Sequence, residues 1–84
     1  MVTKIAVTDD HEMILQGIVM MLENTADIDV VATYKNASET LANISKHLPD
    51  VLLLDINLPD MSGIDLCKKL QKVSPDLLII GLTN

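Results

Sequence analysis

The run Val51-Leu52-Leu53-Leu54-Asp55-Ile56-Asn57-Leu58-Pro59 constrains this chain more than any other stretch. Four consecutive apolar residues end on a carboxylate, and a short polar loop with a proline follows at once. A run that short and that apolar, bounded by turn residues, reads as a strand buried on both faces. Strands of this kind lie in the middle of parallel sheets covered by helices. Asp55 then stands at the carboxyl end of a central strand, where open α/β sheets take their ligands. A carboxylate against so much hydrocarbon is costly without compensation, and we take that compensation to be a metal ion.

The other segments fit such a sheet. Lys4-Ile5-Ala6-Val7-Thr8, stopped by Asp9-Asp10, predicts a first buried strand over 3–8. Ile14, Ile18 and Met21/Leu22 recur at helical spacing within 11–24. The β-branched stretch 29–33 predicts a second strand. Asn36 and Glu39 form a capping-box pattern. Ala37, Leu41, Ile44 and Leu48 then mark the inward face of a second helix, which Pro49 closes. The third strand covers 51–55. Ser62 and Asp65 repeat the cap pattern, and Ile64, Cys67, Leu70 and Val73 mark the face of a third helix. Ser74-Pro75-Asp76 is a turn, and 77–82 is a fourth apolar strand. The order β-α-β-α-β-α-β predicts an α/β fold, a three-layer doubly wound parallel sheet with right-handed crossovers.

With 84 residues there is room for one domain. Nearly half the chain is hydrophobic, yet it has one Tyr and no Phe or Trp, so the core must be aliphatic. The formal net charge of −6 argues against direct nucleic-acid binding. Cys67 is the lone cysteine, which rules out an internal disulfide and fits a reducing, cytoplasmic setting. The amino terminus reads as neither a signal peptide nor a membrane span.

The chemistry gathers at the strand ends. Asp9-Asp10 end the first strand, Asp55 the third and Thr83 the fourth. A doubly wound sheet sets strands one and three side by side at its switch point. Carboxylates about 4 Å apart at an effective dielectric of about 20 repel by roughly 4 kcal/mol per charged pair, so three of them need a cation or a proton. Oxygen donors without a His cluster or paired Cys favour Mg²⁺ over zinc. Magnesium commonly binds carboxylates together with a phosphate, and a carboxylate such as Asp55 can act as a nucleophile toward phosphorus.

Val7-Thr8-Asp9-Asp10-His11-Glu12-Met13, then Leu54-Asp55-Ile56-Asn57-Leu58-Pro59-Asp60-Met61-Ser62-Gly63, then Gly81-Leu82-Thr83 resemble the receiver domain of two-component response regulators, and most closely its NarL/FixJ (LuxR-type) branch. The resemblance spans the whole chain. It implies the CheY-like, flavodoxin-like strand order 2-1-3-4, with a fifth strand missing. It implies that Asp55 is the phospho-acceptor and Thr83 the switch hydroxyl. Asp9, Asp10, Asp55 and the backbone carbonyl of Asn57 would hold Mg²⁺. The implied partners are a sensor histidine kinase and a carboxyl-terminal helix-turn-helix output domain that binds DNA. The resemblance also implies an incomplete receiver domain over 1–84, without the fifth-strand lysine and aromatic or the last helices, and hence poor phosphorylation competence in isolation. The apolar edge of strand four would then be open to pairing, as a homodimer or a swapped assembly.

Plainer readings stand beside these. Asp9 and Asp10 can cap the first helix, and Asn57 can be a turn former. His11 is read as helix-start surface rather than a ligand or base, Cys67 as core, and Met13, Met20 and Met21 as packing. Pro59 and Gly63 shape the loop. Two other functions compete with the phospho-accepting switch. One is a receiver-like scaffold that acts without phosphorylation. The other is a haloacid dehalogenase-type Mg²⁺ phosphatase, which needs a second Asp where this chain has Asn57.

Overall fold

A computed structural model of the chain describes residues 1–82. The elements run β1 (Thr3–Thr8), α1 (Glu12–Glu23), β2 (Ile28–Tyr34), α2 (Ala37–His47), β3 (Val51–Asp55), α3 (Gly63–Val73) and β4 (Leu78–Leu82). The four strands form one parallel sheet in the order β2-β1-β3-β4. The apolar run 51–55 is thus a central strand, flanked by β1 and β4.

The pleat divides the core in two. Alternate residues of a strand point to opposite faces. Ile5, Val7, Val51 and Leu53 pack on one side with Leu15, Ile18 and Leu22 of α1. Ala6, Leu52 and Leu54 pack on the other side with Ala37 and Ile44 of α2 and with Leu66 and Leu70 of α3. The result is the expected three layers. On the second face the hydroxyls of Thr8 and Thr40 meet at 2.9 Å in the interior, and the Thr40 hydroxyl also donates to the Asn36 carbonyl at 2.8 Å. Those bonds tie the end of β1 to the first turns of α2.

Both capping patterns form. Asn36 Oδ1 accepts from the Glu39 amide at 2.8 Å, and Ser62 Oγ accepts from the Asp65 amide at 3.1 Å. The Glu39 carboxylate reaches back to the Lys35 amide at 2.6 Å, one residue before the usual capping-box partner.

Three helical faces differ from the sequence reading. In α1, Leu15 rather than Ile14 is buried, and Met13, Met20 and Met21 are exposed at 86%, 65% and 72%. In α2, Thr40 joins Ala37 and Ile44 in the interior, whereas Leu48 lies outside the helix. It caps the helix in the left-handed region at φ 48° and is exposed. In α3 the buried positions are Gly63, Leu66 and Leu70; Ile64 and Val73 face outward, and Cys67 is only half-buried. The reason is common to α1 and α3. Apolar residues stand at adjacent helical positions there, so periodicity alone offers two stripes. The direction in which each loop delivers its helix onto the sheet selects one.

β4 occupies an edge of the sheet. Leu78 and Ile80, paired with Val51 and Leu53, lie on the α1 side and are largely exposed. Among the described residues no helix is long and apolar enough to cross a membrane.

Candidate functional site

Parallel pairing brings the ends of β1 and β3 together. Thr8 pairs with Leu54, so Asp9 and Asp55 leave adjacent strands at the same level. The Asp9 amide donates to the Tyr34 carbonyl at 3.0 Å, which carries the β1–β2 ladder one residue past the strand and holds Asp9 in place. Asp9 and Asp55 are each 3% exposed, while Asp10 lies at the rim. Donor atoms of Asp9, Asp10, His11 and Asp55 all lie within 4.8 Å of one another.

The two oxygens of Asp55 differ. Oδ1 accepts from the Asn57 amide at 2.9 Å. Oδ2 is buried without a hydrogen-bond partner. A buried carboxylate oxygen left unpaired is costly, and in a cluster of carboxylates it suits a cation. Asp9 does not act as a helix cap: its Oδ1 accepts from the His11 amide at 2.8 Å, and the α1 N-terminus has no side-chain cap bond.

His11 stands exposed at the start of α1, as expected, but its ring makes contacts the sequence did not show. Its ring leans into the cluster, with Nδ1 2.9 Å from Asp9 Oδ1, 3.3 Å from Asp10 Oδ1 and 3.7 Å from Asp55 Oδ2. The hydrogen bond to Asp9, followed by the charge of Asp10, raises the His11 pKa above the ordinary histidine value. The ring therefore keeps its proton to higher pH than a free histidine does. A polar residue directly after the acidic pair was the available signal, but its direction depends on the turn into α1.

The loop after Asp55 is closed at its base. Gly63 donates its amide to the Ile56 carbonyl at 3.0 Å, and Asn57 and Ser62 form an isolated antiparallel bridge. A Cβ on Gly63 would lie 2.5 Å from the Ile56 Cα, so only glycine permits this approach. Thr83, the expected switch hydroxyl, lies outside the described residues.

Sequence reasoning assigned no role to Asp60. Its Oδ1 accepts from the Ala37 amide at 2.9 Å, and its Oδ2 accepts from the Ser38 amide and hydroxyl, each at 3.0 Å. No local spacing foretells a contact with a helix more than twenty residues earlier. The Ala37 amide bond, then the Ser38 amide bond, holds the Asp60 carboxyl below the usual aspartate range. Because the folded value is depressed, the contribution is fully present above the unfolded pKa and is lost as pH falls through the folded one. The Ala37 and Ser38 amide shifts should therefore titrate in NMR with a midpoint below the ordinary aspartate value. A midpoint at or above the ordinary value would contradict the contact.

The fold and the acidic strand ends define a class: a doubly wound parallel sheet with clustered carboxylates at its switch point. The chain belongs to the response regulator receiver domain family, whose model matches residues 5–84. It is 38% identical over 81 residues to the DNA-binding transcriptional activator DevR/DosR of Mycobacterium tuberculosis, covering 96% of this chain and 37% of that protein. It is 32% identical to the response regulator VraR of Staphylococcus aureus, covering 100% of this chain and 40% of that protein. The isolated REC domain of RcsB from Salmonella enterica serovar Typhimurium, solved in the presence of phosphomimetic BeF3−, superposes with a TM-score of 0.93 at 30% identity, over 99% of this chain and 62% of that one. These relatives are NarL/FixJ-type response regulators. The chain spans about two fifths of the length of the curated relatives.

Proposed function

We propose that this chain is a phospho-accepting switch in which Asp55 receives a phosphoryl group from a sensor histidine kinase. The observation that carries the reading is the pairing of a buried, unpartnered Asp55 Oδ2 with Asp9 and Asp10 on the neighbouring strand end. These oxygens suit Mg²⁺, with Asp9, Asp10, Asp55 and the Asn57 main chain as its holders. When bound, the ion supplies neutralising charge for the incoming phosphoryl group.

The chain's own residues do the rest. Asp55 Oδ2, which holds no hydrogen bond, is the oxygen assigned to attack phosphorus; the new O–P bond forms as the bond to the donor breaks, and the donor leaves with its electron pair. The Asn57 amide, bonded to Oδ1, holds the carboxylate so that the other oxygen faces the incoming group. The burial of Asp9 and Asp55 limits water at that oxygen. Thr83 is assigned the switch hydroxyl, and the chain acts as an acceptor rather than a turnover enzyme. We read the output as a DNA-binding domain, a reading supported by the likeness to a DNA-binding transcriptional activator, and the setting as the cytoplasm.

Beryllofluoride, a phosphoryl mimic, provides the test. With Mg²⁺ and beryllofluoride both in large excess, ¹⁹F NMR should show a bound resonance in the parent chain, weak in line with the poor competence expected of residues 1–84 alone, and none in Asp55→Asn. No bound resonance in the parent would overturn the acceptor reading and favour a scaffold that works without phosphate.

A further inference from the structure

Asp60 is tied to α2, yet it belongs to the loop that leaves Asp55. Its two oxygens take the amides of Ala37 and Ser38, the first two residues of α2. Amides in the first turn of a helix have no partner within the helix, and a carboxylate there also meets the favourable end of the helix dipole. α2 already has its own cap in Asn36, whose side chain takes the Glu39 amide. The Asp60 bonds are therefore additional to the capping of α2, and their other consequence falls on the loop. Pro59 restricts the backbone just before Asp60. Beyond it, the Ile56–Gly63 bond and the Asn57–Ser62 bridge close the loop base. The Asn57 amide then reaches Asp55 Oδ1. The segment 56–62 is thus held at its base by α3 and at its tip by α2.

We propose that Asp60 is a positioning residue for the acceptor loop, clamping segment 56–62 to the start of α2 so that Asn57 stays against Asp55. This rests on the reading of Asp9, Asp10, Asp55 and Asn57 as the Mg²⁺ site. Outer partners of metal ligands commonly matter by about tenfold or more in affinity.

The test compares Asp60→Ala, Asp60→Asn and Asn36→Ala in the chain, with Mg²⁺ titrated by NMR and amide hydrogen exchange followed without metal. Asp60→Ala should weaken Mg²⁺ binding about tenfold and speed exchange across 56–62. Asp60→Asn keeps one acceptor oxygen and should recover part of both, and it serves alone if the alanine variant does not fold. Asn36→Ala frays the same helix start but should leave Mg²⁺ affinity within about twofold of the parent, since it does not touch the loop. Equal losses in Asp60→Ala and Asn36→Ala, no change in Asp60→Ala, or no recovery in Asp60→Asn would overturn the clamp. If the parent itself shows no saturable Mg²⁺ binding, the metal reading fails and metal-free exchange decides the clamp. Faster exchange at 56–62 in Asp60→Ala than in Asn36→Ala supports it, and equal exchange overturns it.

Discussion

Gly63→Ala should destabilise the fold by about 3 kcal/mol, the upper end of what overpacking usually costs. The added Cβ meets the Ile56 Cα at 2.5 Å and its Cβ at 2.9 Å. The first of these is backbone and cannot rotate away. Alanine is the better helix former, but that preference is worth only about 1 kcal/mol even in a helix interior. Gly63 is the first residue of α3, where the gain is smaller still. The clash therefore wins. Relief requires Ile56 and α3 to separate, and Ile56 lies between Asp55 and Asn57, so Mg²⁺ affinity should fall with stability. Urea denaturation checks the first effect; a variant as stable as the parent would show that the approach is not needed.

Leu52→Ala carries the second large effect. Leu52 is fully buried in the central strand, beneath α2 and α3 and beside Ile79. Truncating such a side chain removes its transfer free energy and leaves a cavity, a loss of about 3–4 kcal/mol. Leu53, the next residue, points to the α1 side and is only half-buried. Less apolar area returns to water there, so Leu53→Ala should cost about 1–2 kcal/mol. The ordering matters more than either number. A domain of this size has little stability in reserve, and Leu52→Ala should leave it near its unfolding threshold. Equal losses at the two positions would mean that the two faces of β3 are covered alike.

The strands were legible because their signal is local. An apolar run ended by a carboxylate or a turn is visible in a few residues, and 3–8 and 51–55 are observed with the expected bounds. Their pairing then brings Asp9, Asp10 and Asp55 together, as a doubly wound sheet requires. The helix faces were less legible. Ile14 and Leu15, or Ile64, Leu66 and Cys67, offer alternative apolar stripes, and only docking chooses between them. The Met side chains look like core by composition, but Leu15, Ile18 and Leu22 are the α1 residues that turn to the sheet. The contacts of His11 and Asp60 were not legible because they are set by neighbours in space. An aspartate in a loop carries no mark of the helix whose amides it will take.

The central claim is that two strand ends assemble one cation site around Asp55. Its most direct test is an Mg²⁺ titration of the parent chain followed by amide shifts. The amides of Asp9, Asp10, Asp55 and Asn57 should move together along one saturable curve, and that curve should weaken at least about tenfold in both Asp9→Asn and Asp55→Asn. Shifts that never saturate, or that are as large at the remote acids Glu23, Asp27 and Asp29 as at Asp55, would contradict it.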